Sequence, residues 1–184
     1  YGYFNPNPDG TGSQWDSTQN LRHKVQNGCL FMSSSNGNNW EAELRSILTF
    51  NRSDDHAMVF DFTVLNTTVY QMIGWGDTTG TGPGNNDGGF GNNAHALYVA
   101  NNKFGVYEGG NNIFTTLVSG SHVDAGAKYR AIIRPNRDTD GARYQVFKHP
   151  NLSGSIADRN TAGYANAKQD MVLDVCLWAY KDDG

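Results

Sequence analysis

Two carboxylates and a guanidinium stand close together in the stretch WEAELRS: Glu41, Glu43 and Arg45 alternate along five residues. In an extended chain, side chains two apart share a face about 6–7 Å from each other. Acid pairs that cleave glycosidic bonds span roughly 5–10 Å, so the spacing alone admits hydrolysis. That chemistry needs one of the acids protonated, and Arg45 beside both favours their charged forms. Glu41 and Glu43 therefore read more simply as a polar strand face with local ion pairing. A second set of oxygens lies in GWGDTTGTGPGNNDGGFGNN, residues 74–93. Asp77 and Asp87, with Asn85, Asn86 and main-chain carbonyls, have the hard oxygen chemistry of a Ca²⁺ site, which takes six to eight such ligands. Asn136, Asp138, Asp140 and Gly141 resemble the start of a calcium loop, but Phe147 occupies the position of its bidentate acid, so a hairpin turn explains them. His23, His56, His95, His122 and His149 are scattered, and neither H-x-H, H-E-x-x-H nor G-x-S-x-G occurs.

Without an evident nucleophile, the remaining chemistry is that of a surface. Strand by strand, the residues set against the apolar alternation are Glu41, Glu43, Arg45, Gln71, Trp75, Tyr98, Lys103, Tyr107, Arg130, Arg134, Arg143 and Gln145. Aromatic rings stack on the CH-rich faces of sugars, and amides and guanidinium groups bind hydroxyls and carboxylates. The bland alternative is a solvated outer face. Asp77 and Asn92 sit at the two ends of the glycine-rich stretch, at one rim of this surface. A structureless loop of that length tends to be functional or disordered, and a ligand-closing loop is the reading taken here. Trp75, between Gly74 and Gly76, is expected to present its indole at the rim, whereas Trp178, between Leu177 and Ala179, is expected to pack in the core.

The elements that must hold these groups are strands. Period-2 alternation runs through HAMVFDFTVL, KYRAIIR, ARYQVFK and MVLDVCLWAY, and predicts half-buried strands. Further strands are expected at 21–25, 29–33, 40–50, 69–75, 94–100, 103–108 and 113–118. Asn27-Gly28, Asn36-Gly37, Asn101-Asn102, Gly109-Gly110 and Asp140-Gly141 supply the turns. Only 162–170 could form a short helix. About eleven strands with no βαβ alternation predict an all-β, two-sheet antiparallel sandwich, one domain spanning residues 1–184.

Charged residues make up 17% and the net charge is −4, which leaves no dense basic face for nucleic acid. No apolar run is long enough to insert in a bilayer. The 21 Asn and 22 Gly suit an extracellular or cell-surface β-protein with long turns, and the start at Tyr1 is that expected of a mature protein or excised domain. Three N-x-S/T sequons, at Asn51, Asn66 and Asn151, match chance for this composition. Cys29 and Cys176 lie near opposite ends of the chain. If the first and last strands are neighbours the two thiols form a disulfide closing a very long loop; the alternative is two buried free thiols.

The succession ALYVANNKFGVYEGG then AGAKYRAIIRPNRDTDGARYQVFK resembles the concanavalin A-like jelly roll of lectins, binding modules, glycosidases and lyases, over roughly residues 20–180. The two-acid E-x-D-x-x-E strand of that superfamily's glucanases is absent. AELRS is also similar to a strand of jelly-roll alginate lyases, with Arg45 and Gln71 matching; the position of that family's histidine falls on Ile73, and its YFKAG-like segment is missing. The resemblance implies a jelly roll concerned with carbohydrate. The function expected is a non-catalytic carbohydrate-binding domain, lectin-like, belonging to a larger secreted or surface protein and recognising a polysaccharide, with Ca²⁺ as the one cofactor envisaged. The alternatives are a polysaccharide lyase or glycoside hydrolase, and a structural domain of a surface or phage fibre protein.

Overall fold

In a computed structural model the described residues lie mostly in antiparallel strands. The structure describes residues 15–18, 22–26, 29–33, 42–67, 69–78, 93–109, 111–114, 117, 123–135, 141–161 and 172–181. In β1–β3, the first half of β4, β9 and most of β13, backbone pairing alone is described.

The described strands are β1 (Trp15–Thr18), β2 (Arg22–Gln26), β3 (Cys29–Ser33), β4 (Ala42–Asn51), β5 (Met58–Thr63), β6 (Val69–Asp77), β7 (Asn93–Ala100), β8 (Lys103–Glu108), β9 (Asn111–Phe114), β10 (Lys128–Pro135), β11 (Ala142–Lys148), β12 (Ala157–Asn160) and β13 (Val172–Lys181). Seven form the larger sheet in the order β1-β4-β13-β6-β7-β8-β9, four form the smaller in the order β12-β11-β10-β5, and β2 and β3 make a separate hairpin. The chain alternates between layers: β4 large, β5 small, β6–β9 large, β10–β12 small, β13 large. This is the expected two-sheet jelly-roll sandwich. The short strands β1 and β12 were not foreseen, and β9 begins two residues earlier than expected. The possible helix at 162–170 lies outside the described residues.

Each sheet buries one face against the other. β10 alternates without a fault: Tyr129, Ala131 and Ile133 are buried, and Arg130, Ile132 and Arg134 look outward. Phe62, Phe104 and Tyr129 meet between the layers, with Phe104 and Tyr129 5.1 Å apart edge to face. The buried Tyr129 hydroxyl keeps a partner, accepting from the Asp124 amide at 2.8 Å, as buried phenols generally require. The β7–β8 hairpin turns on Asn101 and Asn102, both at positive φ (48° and 60°), the two-residue geometry that follows the natural strand twist and that Asn tolerates.

Trp75 belongs to this core. It is 3% exposed, lies edge-on to Phe50 at 5.5 Å, and donates its indole N–H to the Ile133 carbonyl at 3.3 Å. The expectation of a stacking platform at the rim is therefore corrected. Neighbours in sequence point to opposite faces of a strand, so the flanking glycines have no bearing on what covers the indole. Gly74 instead serves the close approach of β6 to β7: a Cβ there would collide with the His95 carbonyl oxygen.

β13 runs between β4 and β6, with Cys176 opposite Arg45 on one side and Gly74 on the other. Cys29 opens β3 opposite Gln26, so the two cysteines are not on paired strands. Their side chains, and any disulfide between them, lie outside the described residues.

Trp75→Ala removes a buried indole and its hydrogen bond from the junction of the layers. The expected cost is about 3–5 kcal/mol of unfolding free energy, read as a lower urea midpoint.

Candidate functional site

Cross-strand register decides which sequence candidates share a surface. On the larger sheet one row runs Asp16, Arg45, Cys176, Gly74, Ala96, Tyr107 and Asn112. The adjacent row of the same parity runs Thr18, Glu43, Trp178, Met72, Tyr98 and Gly105. Both belong to the sheet's outer side, because the rows between them hold the interlayer residues Leu97 and Val106. Glu43, Arg45, Tyr98 and Tyr107 thus occupy positions on one face, as expected. For Asp16, Thr18, Glu43, Arg45, Asn112, Cys176 and Trp178 this is a statement of register only, and by register Trp178 stands on the outer row and not on the core side expected of it.

At the centre of this face is a row of phenols. Tyr70 and Tyr98 have ring centroids 5.9 Å apart at 68°, and Tyr98 and Tyr107 are 5.0 Å apart at 61°. Asn101 donates from Nδ2 to the Tyr70 hydroxyl at 3.2 Å. Tyr98 and Tyr107 are half-buried against Met72 and Ala96, and Gly74 and Gly105 in the same rows add no side chain. The result is an aromatic strip across β6, β7 and β8, with small residues beside it. Tyr70 and Met72 were missed in the sequence because Gln71 and Trp75, of the opposite parity, were read as the outward pair.

The other candidates lie elsewhere. Gln71 is opposite Val99, a core residue, so it stands on the inner side and does not join Tyr98. Asp77, half-buried, ends β6 opposite Leu173, also on the core side. Asn92 and Asp87, and with them the expected Ca²⁺ loop, lie outside the described residues; only Asp77 of that set is placed.

Arg130 and Arg143 are on the outer face of the smaller sheet, with the whole sandwich between them and the tyrosines. Each is held by a bidentate ion pair, Arg130 to Asp61 at 2.8 and 3.1 Å and Arg143 to Asp158 at 2.9 and 2.8 Å. The single polar surface read from the sequence is therefore corrected: a two-layer fold turns the polar faces of its sheets away from each other. Asp61 also receives Lys128 at 3.5 Å and His149 at 3.3 Å. The Arg130 hydrogen bonds, supported by His149 and by the positive charge of Lys128, hold its carboxyl at about 2, against the ordinary 3.8.

One constellation was not legible as a unit. Between the layers, His95 is fully buried, with Glu108 Oε1 3.1 Å from Nδ1 and Arg52 Nε donating to Nε2 at 3.1 Å. The Glu108 oxygen also accepts from the Tyr144 hydroxyl at 3.0 Å and the Thr161 hydroxyl at 2.7 Å. A His–carboxylate couple of this kind can activate a nucleophile. Here the outer nitrogen faces an arginine and all three side chains are 0–1% exposed, so the couple does not reach a substrate surface. Spacings of 13 and 43 residues left no local motif to find.

No family model matches the chain, and no curated protein does. Among solved structures, a protein of unknown function from Shewanella oneidensis MR-1 superposes with a TM-score of 0.50 at 11% identity, over 97% of this chain and 84% of that one. The basic winged bean lectin, solved with Tn-antigen, superposes with a TM-score of 0.47 at 16% identity, over 92% and 83% of the two chains. The likeness to the Shewanella protein is one of fold alone.

The Asp61 cluster sets an acid limb. Because its carboxyl is lowered in the folded chain, the stability it contributes is fully present above about 3.8 and is lost as pH falls through about 2. Asp61→Asn should flatten the decline in urea midpoint across that window, relative to the parent chain. Parallel declines would show that the ion pairs are screened out by solvent.

Proposed function

We propose that this chain is a non-catalytic carbohydrate-binding domain that takes a glycan on the outer face of its larger sheet, over the strip formed by Tyr70, Tyr98 and Tyr107. The observation that carries the reading is the strip itself: three half-buried phenols with centroids 5.9 and 5.0 Å apart, on the side of the larger sheet turned away from the inter-sheet core. Each ring offers an apolar face and a hydroxyl that both donates and accepts, which is the combination a pyranose needs. Consecutive rings are turned by more than 60°, so a sugar meets ring faces and ring edges in alternation instead of one flat platform. Glu43 and Arg45, both on β4 and by register two, three and four strands from Tyr70, Tyr98 and Tyr107, fall on the same face and are of the residue types that recognise hydroxyls and carboxylates.

A polysaccharide is the ligand class proposed, with the domain forming part of a larger secreted or surface protein. The lyase alternative is disfavoured by placement. The position matched to the lyase histidine is Ile73, packed against the interlayer core, and the buried His95 is engaged on both nitrogens.

Binding to a panel of soluble and insoluble polysaccharides, with and without Ca²⁺, tests the reading. Tyr98→Ala is expected to weaken binding by about 1–2 kcal/mol, roughly ten-fold. Arg143→Ala, on the opposite face, is expected to leave it unchanged. Equal losses in both variants, or binding untouched by Tyr98→Ala, would count against this face; absence of binding across the panel would count against the function.

A further inference from the structure

We propose that Arg52, His95 and Glu108 form an acid-sensitive latch between the two sheets, with His95 held as the neutral Nδ1–H tautomer while the latch is closed. A guanidinium has donors and no acceptor. Arg52 Nε at 3.1 Å from His95 Nε2 therefore requires a lone pair on that nitrogen. The ring proton must then be on Nδ1, where it is donated to Glu108 Oε1 at 3.1 Å. The imidazole is a neutral relay between a cation and a carboxyl group, each on a different element.

The elements joined are the ones that must stay in register. His95 is on β7 and Glu108 on β8 of the larger sheet. Tyr144 is on β11 of the smaller sheet, and Thr161, just beyond β12, accepts from the Ala142 amide at 2.6 Å while donating to Glu108. Arg52, in the 3-10 turn Arg52–Asp54 between β4 and β5, also donates from Nη2 to the Gly141 carbonyl at 2.9 Å. Two donor–acceptor pairs, from Tyr144 and Thr161 to Glu108, thus cross from the smaller sheet to the larger, and Arg52 ties the connecting turn to His95 of the one and to the β10–β11 connection of the other.

Protonation at Nε2 removes the lone pair that receives Arg52 and places two cations 3.1 Å apart with no solvent between them. The groups facing His95 from each packed element are Arg52 from the turn, Glu108 from β8 and Tyr144 from β11, the last through Glu108. On β6 its cross-strand neighbour is Trp75, with Asp77 further along the strand. Among the described residues, only Glu108 and Asp77 could answer a new positive charge. Glu108 already directs one oxygen at the relay, while its Oε2 is buried with no hydrogen-bond partner among the described residues. Acid thus opens the contact between Arg52 and His95 first and leaves the imidazolium with Glu108.

Two measurements on the whole chain decide the matter. Long-range ¹H–¹⁵N correlation at neutral pH is expected to show His95 as the neutral Nδ1–H tautomer; an Nε2–H tautomer or an imidazolium would overturn the latch. Thermal unfolding between pH 8 and pH 5 straddles the ordinary imidazole range near about 6.5. Below it the parent chain is expected to lose about 3 °C or more per pH unit beyond Arg52→Leu, in which Nε2 is free and an imidazolium can pair with Glu108. His95→Gln should show the same shallow profile as Arg52→Leu. Parallel profiles in parent and variants would overturn the proposal, and if a variant does not fold the tautomer measurement decides alone.

Discussion

A strand shows successive side chains to opposite sides, and in a sandwich only one of those sides has a partner. This single constraint determines what the molecule can do with each of its residues. On β6 it sends Trp75 and Ile73 inward and Tyr70, Met72 and Gly74 outward. On β7 it divides His95, Leu97 and Val99 from Ala96 and Tyr98. Hydrophobicity does not fix the sense of that division where both sides carry apolar or aromatic groups. What fixes it is the neighbouring strand, through register.

That explains which parts of the fold the sequence disclosed. β5, β10 and β11 carry charged residues on one side and apolar ones on the other, and their alternation read correctly to within a residue. The Asn101–Asn102 turn was legible because few residue pairs adopt positive φ twice in succession. β6 was legible as a strand but not in its parity, since VYQMIGWG has no clean polar side. The placement of Gln71 and Trp75 failed for that reason, and the opposition of Arg130 and Arg143 to the tyrosines required knowing that their strands belong to the other layer. Tyr98 and Tyr107 fell on one face because β7 and β8 are joined by a tight hairpin, so local spacing carried the pairing.

The two polar systems of the protein obey different rules. On the smaller sheet Asp61 and Asp158 meet their arginines in water, where each pair contributes little individually. Between the layers Arg52, His95 and Glu108 are sealed from solvent, where breaking one partner from another leaves an uncompensated polar group. Sequence gives the first kind away through charge alternation on a strand. The second kind resembles stray polar residues in apolar runs, such as the histidine in NAHALYVA, until the fold brings together partners far apart along the chain.

The position of β13 carries a consequence for how the molecule is made. Its strand neighbours are β4 and β6, elements written more than ninety residues earlier in the chain. Until that segment arrives, the larger sheet is two separate halves, each with an open hydrogen-bonding edge. Pairings so distant in sequence are slow to form, and an unfilled slot between two edges is a template for any extended segment, including one from a second molecule. During synthesis the half-built sheet is thus the state most in need of shelter, and insertion of the late strand is the event that closes it.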